Sequence, residues 1–298
     1  MSIEKKRLTA QVLSLHDGRQ LGYSIIGKGT PVVYFHGTAS SRLEVLLLKD
    51  LATAGNLQII GIDRPGYGLS TFHERKNFQD FADDVDYLAK YLGFDQFGIL
   101  GWSGGGTFAL AYLALFPERV NRAVVVGAPF LPFDVSTAHN MPLARFIMKI
   151  PSLGYLAMKN MHSDVLKTNG DIEAFLRSRT GKHMLNGCSE DDLNFFGDPA
   201  WMGLMYQSVA EAFRQGNLAV KTVVQEHQMF MKQWGFSFSK VPGDRLFIWH
   251  GAEDKTCRVE NAYLLSKVAS CPHVMVFEGK GHCVMFGNTA ELASLLKG

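Results

Sequence analysis

The residues best suited to chemistry in this chain are a serine, a histidine and an aspartate, each set in a turn behind a short apolar run. Gly101-Trp102-Ser103-Gly104-Gly105 follows Phe97-Gly98-Ile99-Leu100 and opens the helix-like run Thr107 to Leu113. A G-x-S-x-G pattern in that setting reads as a nucleophilic serine on a sharp strand-to-helix turn. Such a turn drives the serine backbone toward positive φ and brings strand and helix together, so the residues two before and two after it cannot carry bulk. Gly101 and Gly105 meet that demand. A serine hydroxyl becomes a useful nucleophile only when a neighbouring base takes its proton, and the imidazolium so formed needs a buried carboxylate beside it. His282 ends the Gly-rich loop Glu278-Gly279-Lys280-Gly281-His282, and Asp254 ends the loop His250-Gly251-Ala252-Glu253-Asp254.

These three residues can meet only if the chain folds so that distant turns share one edge. Val12 to Leu15 and Leu21 to Ile26 flank Asp17-Gly18, which predicts an antiparallel hairpin. Val32 to Phe35, Leu57 to Ile62, Phe97 to Leu100 and Ala123 to Val126 read as strands buried on both faces. Between them lie helical patterns at roughly 42–54, 78–92 and 105–116. Such alternation predicts a parallel sheet with crossover helices, whose strands end at a common edge. From Leu131 to Lys240 the alternation stops and only helical runs remain. It resumes with Leu246 to Trp249, a helix near 260–270, the strand His273 to Phe277 and a last helix near 288–296. The reading is therefore an α/β core formed by 1–130 and 241–298, interrupted by a helical region at 131–240.

Composition narrows the functional classes. The chain has 298 residues, 47% hydrophobic and 19% charged, enough apolar surface for a large core. A net charge of +2, with scattered Lys and Arg, gives no surface for tracking phosphates, so a nucleic-acid partner is not expected. Glu4-Lys5-Lys6-Arg7 reads as a solvated end. The start Met1-Ser2-Ile3-Glu4 lacks a secretory layout, and the longest apolar region, Ile99 to Phe116, is broken by Gly101, Ser103, Gly104 and Gly105. A cytoplasmic location, no membrane span and four free thiols at Cys188, Cys257, Cys271 and Cys283 are the expectations. Gly22 to Gly29 departs from a phosphate loop at Gly29, and His250, Glu253 and Asp254 match no metal framework, so neither a cofactor nor a metal is expected.

The order Ser, Asp, His, with the serine on a strand-turn-helix, resembles the α/β-hydrolase superfamily over nearly the whole chain outside 131–240. Further motifs agree. His36-Gly37-Thr38 is similar to the family's H-G-x segment, Asp63 to Ser70 to its loop after the fourth strand, His250 to Asp254 to H-G-x-x-D, and Gly281-His282 to the pair bearing the base. Trp102 and Trp234-Gly235-Phe236 resemble an esterase-like and peptidase-like branch. The resemblance implies a Ser103, Asp254, His282 triad and an oxyanion hole made by the backbone N–H groups of Thr38 and Gly104. It leaves Glu253 and Asp134 as alternative acids, since some members carry the acid after the sixth strand. His36 is read as a packing residue, Asp63 and Arg64 as braces of a loop, and Cys283 as a packing thiol.

The resemblance further implies that 131–240 is a cap over the nucleophile. Nine of the twelve methionines fall between Met141 and Met231, among many aromatic residues, so the cap should roof an apolar pocket. A small or medium apolar substrate and a serine hydrolase, carboxylesterase above all, are the expectations. A lyase or C–C bond hydrolase with the same triad and a ligand-binding receptor on this fold are the alternatives. Epoxide hydrolase and dehalogenase chemistry is disfavoured, because those relatives carry Asp where Ser103 stands.

Overall fold

The computed structural model describes residues 10–74, 77–129, 147, 149–232 and 234–297. One eight-stranded sheet runs through it: β1 (Gln11–Ser14), β2 (Gln20–Gly27), β3 (Thr30–Phe35), β4 (Leu57–Ile62), β5 (Phe97–Trp102), β6 (Val120–Val126), β7 (Leu246–Gly251) and β8 (His273–Phe277). Their spatial order is β1-β2-β4-β3-β5-β6-β7-β8. β1 pairs antiparallel with β2 and β2 antiparallel with β4, while every pair from β4 to β8 is parallel. All eight strands read from the sequence are present, including the N-terminal hairpin.

The chain moves from β3 outward to β4, then returns past β3 to β5. The crevice between β3 and β5 at their carboxyl ends is therefore the topological switch point, where open α/β sheets gather ligands. The turns after β3 and β5 open there, with those after β6, β7 and β8 along the same edge.

The helix after β5, α3 (Gly104–Leu115), is buried at every position except Leu115. It is apolar all round, and such a helix has no solvent face to offer. On the same side α2 (Gln79–Tyr91) turns Phe81, Val85 and Leu88 into the core. The single helix expected near 42–54 is instead a 3-10 segment, Arg42–Leu48, followed by α1 (Lys49–Gly55). Its start is set by tertiary bonds: Arg42 N–H donates to Asp63 Oδ1 at 2.7 Å, and Ser41 N–H to Ser208 Oγ at 3.1 Å.

Between β6 and β7 the described residues form α4 (Pro151–Thr168), α5 (Ile172–Arg177), α6 (Arg179–Asn186), α7 (Glu190–Gly197), α8 (Pro199–Ala212) and α9 (Asn217–Phe230). The beginning of the predicted insertion, with Asp134 and Met141, lies outside the described residues. Two helices complete the core, α10 (Glu260–Val268) and, after a short α11 (Val284–Gly287), α12 (Thr289–Leu296). Among the described residues no helix is long and apolar enough to cross a membrane.

Candidate active site

Ser103 sits at φ 53°, ψ −131°, a conformation that costs an L-residue about 1–3 kcal/mol and persists only where its surroundings impose it. Two bonds impose it here. Ser103 N–H donates to Val126 O at 2.9 Å, and Gly106 N–H to Ser103 O at 2.9 Å. The flanking glycines are steric requirements. A Cβ on Gly101 would lie 2.7 Å from Gly106 Cα and 2.8 Å from Ala109 Cβ, and one on Gly105 would run into the carbonyl oxygen of Phe35.

His282 and Asp254 are brought together. His282 Nδ1 lies 2.7 Å from Asp254 Oδ2, with Asp254 5% exposed. Asp254 Oδ1 accepts the N–H groups of Thr256 and Cys257, both at 2.8 Å, which fixes the carboxylate plane. His250 Nε2 stands 3.4 Å from Asp254 Oδ2 and 2.9 Å from the Cys257 carbonyl oxygen, bracing the acid from below. Glu253, by contrast, is exposed, and its N–H donates to Lys280 O at 2.9 Å.

The electrostatics follow from that pair. Burial alone would raise the Asp254 carboxyl, but the charge and hydrogen bonds of His282 and His250 hold it far below the usual carboxylate range. Burial likewise disfavours an imidazolium at His282, yet the Asp254 carboxylate overrides it and raises the imidazole above its ordinary value, with Asp192 and Glu44 adding to the effect.

Ser103 and the pair occupy the same edge. Gly127, next to the residue that accepts the Ser103 N–H, lies against the pair so closely that an added Cβ would be 3.0 Å from His282 Nδ1 and 3.2 Å from Asp254 Oδ2. Trp102, which precedes Ser103, donates its indole N–H to His282 O at 2.9 Å. The side-chain bonds of His282 run to Asp254, and none to the Ser103 hydroxyl is formed. Unliganded sites commonly leave that bond long.

The segment after β3 is held by a buried charge network. Arg64 donates to His36 O at 2.6 Å and Gly37 O at 3.1 Å, and pairs with Glu226 of α9 through Nε at 2.6 Å and an η nitrogen at 3.0 Å. Tyr67 Oη donates to the same Glu226 at 2.9 Å, and the guanidinium lies 4.7 Å from the Phe108 ring centroid. On the other side Glu44 Oε1 accepts Gly37 N–H at 2.9 Å and Tyr34 Oη–H at 2.7 Å. Burial raises the Glu44 carboxyl. With a trans peptide, a carbonyl of Gly37 turned to Arg64 directs the Thr38 N–H the opposite way. Thr38 abuts the start of α3, since a Cβ on Gly104 would strike Thr38 Oγ1 and lie 3.2 Å from the Phe230 ring. Gly104, first in that helix, offers an N–H with no partner inside the helix.

The loop braces expected of Asp63 and Arg64 are present: Asp63 takes Arg42 Nη1 at 2.7 Å and Leu69 N–H at 2.8 Å. Cys188, Cys257, Cys271 and Cys283 are free and buried. A surface cleft of about 560 Å³ lined by Leu43, Tyr206 and Arg214 contains none of the candidate residues. Sequence reading missed Glu226 and Asp192, both in the inserted helices. Ser189 with Asp192 three residues later was a visible capping pattern, but nothing local said that its acid faces His282.

Comparison with known proteins agrees with the fold. The family model described as alpha/beta hydrolase fold matches residues 30–289. A proline iminopeptidase from Xylella fastidiosa is 24% identical over 297 residues, covering 91% of this chain and 90% of that protein. An esterase from Exiguobacterium antarcticum superposes with a TM-score of 0.67 at 18% identity, over 97% of this chain and 100% of its own. A meta-cleavage product hydrolase from Pseudomonas fluorescens superposes with a TM-score of 0.58 at 18% identity, over 98% and 97%.

Proposed function

Since the chain belongs to the α/β-hydrolase fold family, we propose that it is a serine hydrolase, a carboxylesterase acting on a small or medium apolar substrate. The observation that carries the reading is the buried Asp254–His282 pair, 2.7 Å apart, at the sheet edge where Ser103 is held in its strained turn.

In this reading Ser103 Oγ attacks the acyl carbonyl while His282 Nε2 takes its proton. Asp254 keeps the imidazole in the right orientation and stabilises the imidazolium as it forms. The tetrahedral oxyanion is received by the N–H groups of Gly104 and Thr38, the first at a helix N-terminus and the second aimed by the Arg64 grip on the preceding carbonyl. His282 then returns the proton to the leaving alcohol. Water, deprotonated by the same imidazole, releases the acid from the acyl-enzyme.

Residues 131–240 serve as the cap in this account, with 1–130 and 241–298 as the core. Phe230 at the end of α9, beside Gly104, supplies an apolar wall for the acyl group. Apolar enclosure excludes water from the reacting centre and selects small substrates. Free cysteines suit a reducing compartment, and a cytoplasmic site of action is part of the proposal.

A series of p-nitrophenyl esters of increasing acyl length, assayed on the protein and on Ser103→Ala, tests chemistry and pocket together. Turnover that peaks at short or medium chains and falls by about a thousandfold or more in the variant is expected. Undiminished turnover in Ser103→Ala removes the mechanism, and poor ester turnover with cleavage of a ketone C–C bond would transfer the triad to the lyase-like reading.

A further inference from the structure

His282 is held at three points, its side chain, its carbonyl and its N–H, and the last belongs to the inserted helices. The imidazole is tied to Asp254, and the backbone carbonyl accepts the indole N–H of Trp102. The backbone N–H of His282 donates to Asp192 Oδ2 at 3.1 Å, while the next N–H, of Cys283, donates to Asp192 Oδ1 at 2.7 Å. Asp192 lies in the first turn of α7 and is 1% exposed. Its Oδ2 also takes the N–H of Ser189 at 3.0 Å and the Ser189 hydroxyl at 2.9 Å. Alongside, Asp191 Oδ1 pairs with Lys280 Nζ at 2.8 Å. Gly281 is what lets the two parts close: a Cβ there would strike Ser189 Oγ and Asp192 Oδ2.

A helix-capping acid needs only its own cap to be satisfied. This one keeps its cap and in addition uses both oxygens to accept two consecutive amides of a loop 90 and 91 residues away. Resting on the hydrolase reading above, we infer that Asp192 is a positioning residue for His282. It fixes where the general base stands and makes that placement conditional on the docking of α7. The charge of Asp192 acts on the imidazole as well. The groups facing His282 are Asp254 in the loop after β7, Asp192 on α7 and Glu44 in the 3-10 segment after β3; His250 on β7 faces the same Asp254. Removing one of the three carboxylates lowers the proton affinity of the base.

Asp192→Asn tests the inference, because an amide keeps the shape, loses the charge and puts an N–H donor where one of the two carboxylate oxygens accepted, so one of the amides of His282 and Cys283 loses its acceptor. Ester hydrolysis is followed against pH, with fluorophosphonate labelling of Ser103 as a parallel measure. The expected result is a kcat lower by about tenfold or more at nearly unchanged KM. The midpoint of the acidic limb should move to lower pH, and Asp192→Glu should restore it. A kcat and midpoint equal to those of the unaltered protein overturn the inference, and so does a variant that is merely less stable with an unmoved midpoint. If the Asn variant does not fold, amide hydrogen exchange on the unaltered protein decides. The His282 and Cys283 amides should exchange together with those of α7, and free exchange at 282 and 283 contradicts the role. Lack of labelling in the unaltered protein sinks the hydrolase reading, and the exchange result still decides for Asp192.

Discussion

Trp102 Nε1 donates to the carbonyl oxygen of His282 at 2.9 Å, and the two rings lie 5.3 Å apart. The bond joins residues 180 apart in sequence, the last residue of the strand that delivers Ser103 and the residue read as its base. Trp102→Phe keeps a ring and deletes the donor, leaving a carbonyl without that partner. We expect a loss of stability of about 1–3 kcal/mol, with kcat reduced more than KM is raised. Denaturant titration and steady-state ester kinetics check both, and an unchanged kcat would mean that the bond does not help place the base.

Glu226 is buried and faces Arg64, itself buried, so Glu226→Gln leaves a guanidinium without its countercharge. Breaking such a pair costs about 3–5 kcal/mol. The variant should melt earlier and, below its melting temperature, turn over esters more slowly because the carbonyls of His36 and Gly37 lose their fixed partner. A stable variant with full kcat contradicts the link from α9 to the oxyanion segment.

Gly104→Ala places a methyl group against Thr38 Oγ1 and 3.2 Å from the Phe230 ring. In the proposed mechanism, displacing the Thr38 segment withdraws one oxyanion donor, so kcat should fall about a hundredfold with the fold retained. Circular dichroism and ester kinetics together check this, and full activity would place the oxyanion elsewhere.

The Asp254–His282 pair makes stability and turnover respond oppositely to pH. Burial works against the charge on each partner, yet their attraction holds Asp254 below and His282 above its ordinary value. The depressed acid contributes stability that is complete above about pH 4 and lost as pH falls toward its folded value. The raised imidazole contributes stability that is complete below about pH 6.5 and lost as pH rises through its higher folded value. Between those limits the pair contributes most, whereas a general base works only when neutral. The difference in denaturation midpoint between the protein and Asp254→Asn should therefore peak in that window and shrink in alkali, while turnover rises with pH. A difference that is the same at every pH contradicts the ion pair.

Much of this was legible in the residues themselves. Short apolar strands and a fully apolar helix after Ser103 announce a parallel sheet, and in such a sheet turns such as those at Asp254 and His282 open on one edge. The contacts of the inserted helices were not legible. Asp192 and Glu226 sit on helices that also carry exposed polar residues such as Glu190, Asn194, Asn217 and Lys221, and an acid that meets a loop 90 or 162 residues away has the same local signature as one that meets water. The 3-10 start at Arg42 was hidden for a similar reason, since Asp63 and Ser208 hold Arg42 and Ser41 from elsewhere in the chain.

The most direct measurement is intact-protein and peptide mass spectrometry after exposure to a fluorophosphonate probe. The account predicts one adduct per chain, on Ser103, formed faster as pH rises through the titration of His282, and absent in Ser103→Ala. A protein that stays unlabelled, or an adduct that persists in Ser103→Ala, contradicts it.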